Sequence, residues 1–255
     1  WHKKIFSYCK KLKIKCFSSA FDQSSIKLLE KLNCPIYKIA SFEMTDFSLL
    51  YRISQTKKPV IISTGLSNLN EIKDSVSFLK RNGTKDIAIL YCVSSYPAKD
   101  NEFNLENIRI LIEKFNCVIG FSDHSNNIEI AKLAFAMGAR IFEKHFALEN
   151  QNKGFDVKFS LKGKKLLSFK KQLLKTQKIL GKKNFYRNKN ELKNLKFRRS
   201  IYAIKDIKKN DKFSEKNIKT IRPASGLDPK FYFKILNKKS KKNIKKGSPI
   251  KIDYF

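Results

Sequence analysis

Two histidines carry the first chemical suggestion in this chain. There are only three His among 255 residues. Two of them, His124 and His145, stand at the ends of consecutive short apolar runs, VIGFSDH (118–124) and RIFEKHFAL (140–148). Imidazole is the commonest side-chain ligand for transition-metal cations. Neighbouring strands lie roughly 5 Å apart, so rings at adjacent strand ends reach one ion. The competing reading is a pair of hydrogen-bonded structural histidines. Asp123 stands where it either orients His124 or accepts from nearby backbone N–H groups. Glu143 and Lys144 alternate in direction along their strand, so one of them points inward.

A second constellation surrounds the first. Ser18 and Ser19, Ser41 and Glu43, Ser63 and Thr64, Ser94 and Tyr96, and Ser122 all close apolar runs. Each alone reads as ordinary strand-end polarity. Together with Lys38 and Gly65 they describe a pocket of small hydroxyls, backbone N–H groups and a cation, which suits a phosphate or carboxylate. Lys38 lies inside an apolar run, where an ammonium is costly unless it faces an anion or solvent. Glu43 is read as a partner for a sugar hydroxyl or as a helix cap. Tyr96, before Pro97, lines a sugar site or packs.

The elements that must position these groups repeat. Short β-branched runs, IKCFSSAF (14–21), PIYKIAS (35–41), PVIISTG (59–65), IAILYCVSS (87–95) and the two named above, are too continuously apolar for half-exposed strands. They read as a parallel sheet covered on both faces. Amphipathic helices lie between them: SSIKLLEKL (24–32), NLNEIKDSVSFLKRNG (68–83), NLENIRILIEKF (104–115) and NNIEIAKLAFAMGA (126–139). Asn68 with Glu71 carries a capping-box signal and Gly83 a stop signal. The βα unit recurs about every 25–30 residues. Useful residues sit at nearly every strand end, as in a (β/α)₈ barrel. A doubly wound sheet would use one crevice, and no G-x-G-x-x-G is present. Residues 161–181 read as a Lys-rich helix that completes a barrel domain over 1–181. Residues 182–196 read as a linker, and 197–255 as a small β-rich domain.

Composition narrows the function classes. The formal charge is +33, which invites a nucleic-acid reading. Lysine supplies nearly all of it and is scattered through every element. A reader of bases or phosphates concentrates arginine on one face, so no specific nucleic-acid partner is expected. No run of about 18 apolar residues marks a membrane helix, and the first residues lack a signal-peptide pattern and an initiator Met. Five Cys form no C-x-x-C pair and read as small hydrophobes in a reducing cytoplasm.

In order and spacing, SSAFD, YKIASFE, IISTG, YCVSSYP, GFSDHS, EKHFAL, GFDVKFSL and IRPASGLDP resemble the sialic (nonulosonic) acid synthase family. SFE, GFDVKFSL and RRSIYAIKDIKKNDKF are nearer its pseudaminic acid branch than its N-acetylneuraminate branch, with an N-acetylneuraminate or legionaminate synthase as the alternative. The resemblance implies a TIM-type (β/α)₈ barrel followed by a SAF, or antifreeze-like, domain. It implies condensation of phosphoenolpyruvate with an N-acetylated amino sugar and water, with release of phosphate. It implies a divalent cation, manganese first and cobalt or magnesium next, held by His124 and His145. Phosphoenolpyruvate would meet Ser19, Lys38, Ser41, Ser63, Ser94 and Ser122. The sugar would meet Glu43, Tyr96 and Asp156. Lys38, Glu43, Tyr96, His124 and His145 would form the catalytic set. Arg222 would reach the barrel of a second copy in a domain-exchanged homodimer and hold the sugar's acyl group.

The sequence departs from the family pattern at Ser19, where Thr is expected, at Ala20, where Pro is, and at Ser94, where Asn is. The larger departure is that only about six strands are read where a closed barrel needs eight. The expectation is a barrel lacking its first two βα units, with a strand-end Glu, a second Lys and a sugar-binding Asn. On that expectation residue 1 is not the natural beginning, and the polypeptide alone is poorly active or inactive.

Overall fold

The computed structural model describes all 255 residues as two compact units, Trp1–Gly181 and Lys182–Phe255. The first unit opens with α1 (His2–Lys11), which buries none of its residues. Strand–helix alternation follows: β1 (Ser18–Ser19), α2 (Gln23–Lys31), β2 (Tyr37–Ile39), α3 (Phe47–Gln55), β3 (Val60–Ser63), α4 (Leu69–Arg81), β4 (Ile87–Cys92), α5 (Asn107–Lys114), β5 (Val118–Asp123), α6 (Ile128–Met137) and β6 (Phe142–Lys144). Two short strands, β7 (Phe146–Ala147) and β8 (Leu161–Lys162), pair with each other before α7 (Lys165–Leu180).

Local chemistry sets the helix limits. The Asp22 carboxylate accepts from the Ser25 N–H at 2.7 Å, and the Ser25 hydroxyl accepts from Asp22 N–H, closing a capping box on α2. Asn68 and Glu71 do the same for α4. A cap of this kind contributes about 1 kcal/mol. Left-handed residues follow the last turns, with Asn33 at φ 53° after α2 and Gly83 at φ 105° after α4. Such residues satisfy the last helical carbonyls.

All six strands β1–β6 are parallel and each pairs with the next in sequence. That singly wound order is the order of a barrel and not of a doubly wound sheet, which reverses at a switch point. β1 and β6 are the outer strands of this sheet. Tyr37, Ile39, Ile62, Ile89 and Phe121 are fully buried in the core shared by sheet and helices. The expected strand over 140–148 is broken: the ladder with β5 ends at Lys144, and Phe146–Ala147 turn to meet β8. The expected strand over 14–21 shrinks to Ser18–Ser19, paired on one side only.

In the second unit, α8 (Lys189–Lys193) is a single short helix closed by its own Asn188–Glu191 capping box. β9 (Ser200–Ala203) and β10 (Ile218–Ile221) pair antiparallel. Isolated bridges, Ile207 to Ile244 and Tyr202 to Pro249 among them, fold the rest of the chain back on that pair. α9 (Tyr232–Ile235) helps close a core of Ile201, Ile207, Phe213, Ile218, Ile235 and Ile250.

Candidate functional site

The parallel register aligns the chemistry. Ser19 on β1 is the partner of Lys38 on β2. Cys92 on β4, Ser122 on β5 and Glu143 on β6 form a second row of partners. Side chains alternate along a strand. Tyr37 and Ile39 therefore enter the apolar core, and Lys38 between them faces the concave side. There a cavity of about 340 Å³ is lined by Ser19, Lys38, Ser41, Ser63, Ser122, Tyr96, His124, Glu143 and His145, with Phe42, Cys92 and Lys144 beside them.

Lys38 is 6% exposed. Its ammonium donates to the Ser63 hydroxyl at 2.7 Å and to the Ile39 carbonyl at 3.3 Å, and it stands 3.6 Å from a Glu143 oxygen. The same Glu143 oxygen accepts from the Ser122 hydroxyl at 2.8 Å. A cation, itself held by the Ser63 hydroxyl, and the Ser122 hydroxyl therefore converge on one carboxylate, which an incoming phosphate or carboxylate can replace as their partner. Ser41 accepts from the Gly65 N–H at 3.1 Å. A Cβ added at Gly65 would lie 2.0 Å from the Ser94 hydroxyl and 2.7 Å from that of Ser41. Only a residue without a side chain lets these hydroxyls close on the end of β3.

Two residues beyond that row, and one past the ends of β5 and β6, come the histidines. Their ring centroids are 5.3 Å apart. His124 Nδ1 is 2.9 Å from the Val93 carbonyl, which makes it the protonated nitrogen and leaves Nε2 with its lone pair. Burial pushes the His124 pKa below the usual imidazole value, and His145 adds to this, while the Val93 hydrogen bond works in the opposite direction. The ring is neutral at pH 7, as a metal ligand must be. His145 Nδ1 faces the Asp156 carboxylate at 3.4 Å, which also leaves Nε2 available. A ligand nitrogen about 2.1 Å from an ion puts its ring centroid roughly 3.2 Å away, so rings sharing one ion stand no more than roughly 6.4 Å apart. The observed spacing fits. No group of three or more His, Cys, Asp or Glu converges on a metal-sized point, so the pair would share a cation with water or substrate oxygens.

The sequence-expected residues separate into groups. Lys38, Ser19, Ser41, Ser63, Ser122, Tyr96, His124 and His145 meet in the cavity. Ser94 lies behind it, its hydroxyl buried without a hydrogen-bond partner. Glu43 sits on the single turn Ser41–Glu43, and its Oε2 is likewise buried and unpartnered. Asp156 is exposed and stands behind His145. Arg222 follows β10 in the second unit and is exposed. Asp123 does not touch a histidine ring. It accepts from Ser125 N–H and pairs with Lys144, so the backbone alternative is the one realised.

Of the Glu143–Lys144 pair left open by the sequence, Glu143 is the inward member, and its pairing with Ser122 across the ladder decides it. One further participant was not singled out from the sequence. Phe159, 3% exposed, wedges between the rings, 4.9 Å from His145, 6.1 Å from His124 and 5.3 Å from Tyr96. It closes a single 3₁₀ turn, Val157–Phe159, between β7 and β8, too short for any periodicity to announce it. Burial raises the Cys92 pKa, so this thiol stays protonated and is a poor nucleophile.

Comparison with known proteins gives a consistent picture. Residues 1–185 match the NeuB family and residues 198–254 match the SAF domain. The chain is 39% identical over 251 residues to a pseudaminic acid synthase of Campylobacter jejuni subsp. jejuni serotype O:2, covering 98% of this chain and 73% of that protein. It is also 39% identical over 253 residues to the N,N'-diacetyllegionaminic acid synthase of the same organism, covering 98% and 76%. Among solved structures it is similar to a spore coat polysaccharide biosynthesis protein E from Chromobacterium violaceum. That match has a TM-score of 0.85 at 27% identity and covers 99% of this chain and 77% of the other. No helix is long and apolar enough to cross a membrane.

Proposed function

The chain belongs to the NeuB family, with a SAF domain after it, and on that premise we propose that it condenses phosphoenolpyruvate with 2,4-diacetamido-2,4,6-trideoxy-altropyranose and water to give pseudaminic acid and phosphate. The observation that carries this reading is the cavity itself. It sets a buried ammonium among hydroxyls, with two free imidazole nitrogens two residues beyond the Ser122–Glu143 pair.

Lys38, with Ser63, Ser122, Ser41 and Ser19, takes the phosphate and carboxylate of phosphoenolpyruvate and aims its carbon 3 at the sugar aldehyde. A divalent cation held by His124 and His145, manganese before cobalt or magnesium, supplies Lewis-acid polarisation of the aldehyde oxygen when bound. Glu143 is the carboxylate available to take the proton of the water that adds at carbon 2, after which phosphate leaves. Glu43, Tyr96 and Asp156 contact the sugar; a sugar hydroxyl gives Glu43 Oε2 the donor it lacks. Arg222 contributes from a second copy of the chain in a domain-exchanged homodimer, with 182–196 as the connecting linker. Fixed positioning and electrostatics supply most of the rate.

We also read the six-stranded sheet as part of an eight-stranded barrel, with two βα units between β6 and β1. Ligand binding is read alongside turnover in each test.

The deciding assay measures phosphate release with Mn²⁺, phosphoenolpyruvate and one sugar at a time. Release with the altro sugar, and much less with the sugars leading to N-acetylneuraminate or legionaminate, is expected. Preference for either of the others reassigns the branch. No metal-dependent release with any of them, from protein that binds neither Mn²⁺ nor phosphoenolpyruvate, sinks the proposal. Gly65→Ala provides a local check. Forcing the Ser41 and Ser94 hydroxyls apart carries an overpacking cost of about 1–3 kcal/mol. We expect the KM for phosphoenolpyruvate to rise about tenfold, read by steady-state kinetics, with the protein still folded.

A further inference from the structure

The β5–β6 ladder ends at the pair Asp123–Lys144, one residue short of both histidines. His124 and His145 therefore lie past the last paired residues, where no ladder fixes the distance between them. On the outer face of the sheet, opposite the cavity row of Ser122 and Glu143, the Lys144 ammonium reaches across to the other strand. It donates to the Asp123 carbonyl at 3.0 Å and to the Ser125 carbonyl, and it pairs with the Asp123 carboxylate at 3.3 Å. Those two carbonyls flank His124 on either side, and Lys144 itself precedes His145. The Asp123 carboxylate also holds the Ser125 N–H at 2.8 Å. Both charged side chains are shielded from water, at 6% and 1% exposure.

Resting on the metal reading above, we propose that Lys144 is a positioning residue: a side-chain clamp that replaces the missing ladder bonds and fixes the His124–His145 separation at the value one divalent cation requires. Its position accounts for a buried lysine here better than stability does. A buried ion pair is often no better than an apolar pair of the same volume, whereas a misplaced ligand ring weakens a metal site directly. Groups that orient ligands typically account for 10–100-fold in metal affinity. Lys144 borders the same cavity, but neither clamp side chain hydrogen-bonds or ion-pairs with Lys38 or Ser63, so its loss should weigh on the histidines more than on the anion pocket.

The experiment uses the full chain with Mn²⁺ alone and phosphoenolpyruvate alone as probes. Lys144→Met leaves the Asp123 carboxylate buried without a counter-charge, and it risks misfolding. The double variant Asp123→Asn/Lys144→Met removes both charges together. We expect the double variant to melt cooperatively, to bind Mn²⁺ 10–100-fold more weakly, and to keep phosphoenolpyruvate affinity within about twofold. Its Co²⁺ form should show a shifted visible spectrum. Unchanged Mn²⁺ affinity in the folded double variant overturns the clamp. So does an equal loss of both affinities, which would mark Lys144 as merely structural. Wild-type protein that binds no Mn²⁺, or His124→Ala protein that binds it as well as wild type, sinks the two-histidine site and the clamp with it.

Discussion

Replacing His145 by alanine is expected to cut metal-dependent phosphate release by on the order of 10³-fold. A Lewis acid at a reacting carbonyl supplies several kcal/mol of transition-state stabilisation, and each 1.36 kcal/mol is about tenfold in rate. With one of two imidazoles gone, the proposed cation would lose half of its protein ligands. His145 is a clean target because its side chain is 35% exposed, so truncation leaves no large core cavity. Phosphoenolpyruvate binding, which rests on Lys38 and the serines, should persist. Titration calorimetry with Mn²⁺ and then with phosphoenolpyruvate checks both halves. Retained turnover with retained Mn²⁺ affinity would remove the histidine pair from the chemistry.

The second large effect is expected at Lys38. Its ammonium is buried, bonded to Ser63 and balanced by Glu143. Lys38→Met should lower kcat/KM by about 10²–10³-fold, the range seen when one preorganised charge-stabilising donor is removed. The loss should fall heavily on phosphoenolpyruvate affinity and leave Mn²⁺ affinity near wild type. Arginine should not rescue it, because a planar fork cannot fit the space of one ammonium between Ser63 and Glu143. The variant also strips Glu143 of its counter-charge, so Lys38→Met/Glu143→Gln separates lost recognition from a stranded carboxylate. If the single and double variants bind phosphoenolpyruvate like wild type, the anion pocket lies elsewhere.

The strand–helix frame was legible because each central strand is a continuous apolar run, and α4 carries its Asn68–Glu71 cap in plain view. The cavity set was legible too, since parallel strands bring their ends to one face. What escaped depends on register and on loops. Nothing in RIFEKHFAL says that the ladder stops at Lys144. The residues on either side of the break are equally suited to a strand, and pairing with Leu161–Lys162 is a distant contact. The inward choice between Glu143 and Lys144 needed the Ser122 partner to decide it. Phe159 reaches the histidines from a single turn, by a fold-back that has no period. The sequence leaves Asp123 two options, and its bond from the Ser125 N–H decides between them, with Lys144 as a cross-strand partner that the sequence does not announce. The same limits explain β1. Its apolar run of eight residues promises more strand than two residues paired on one side deliver, because backbone pairing needs a neighbour as well as a suitable sequence.

Lys38, Ser63, Ser122 and Glu143 are carried by strands, whereas Tyr96, Asp156 and Phe159 are carried by the segments between them. On the proposed roles, the anionic co-substrate is read by a framework that cannot be altered without dismantling the sheet. The sugar, on the same proposal, is read by parts that can be exchanged one loop at a time. A scaffold divided in this way can diversify its acceptor during evolution while its donor chemistry stays constant.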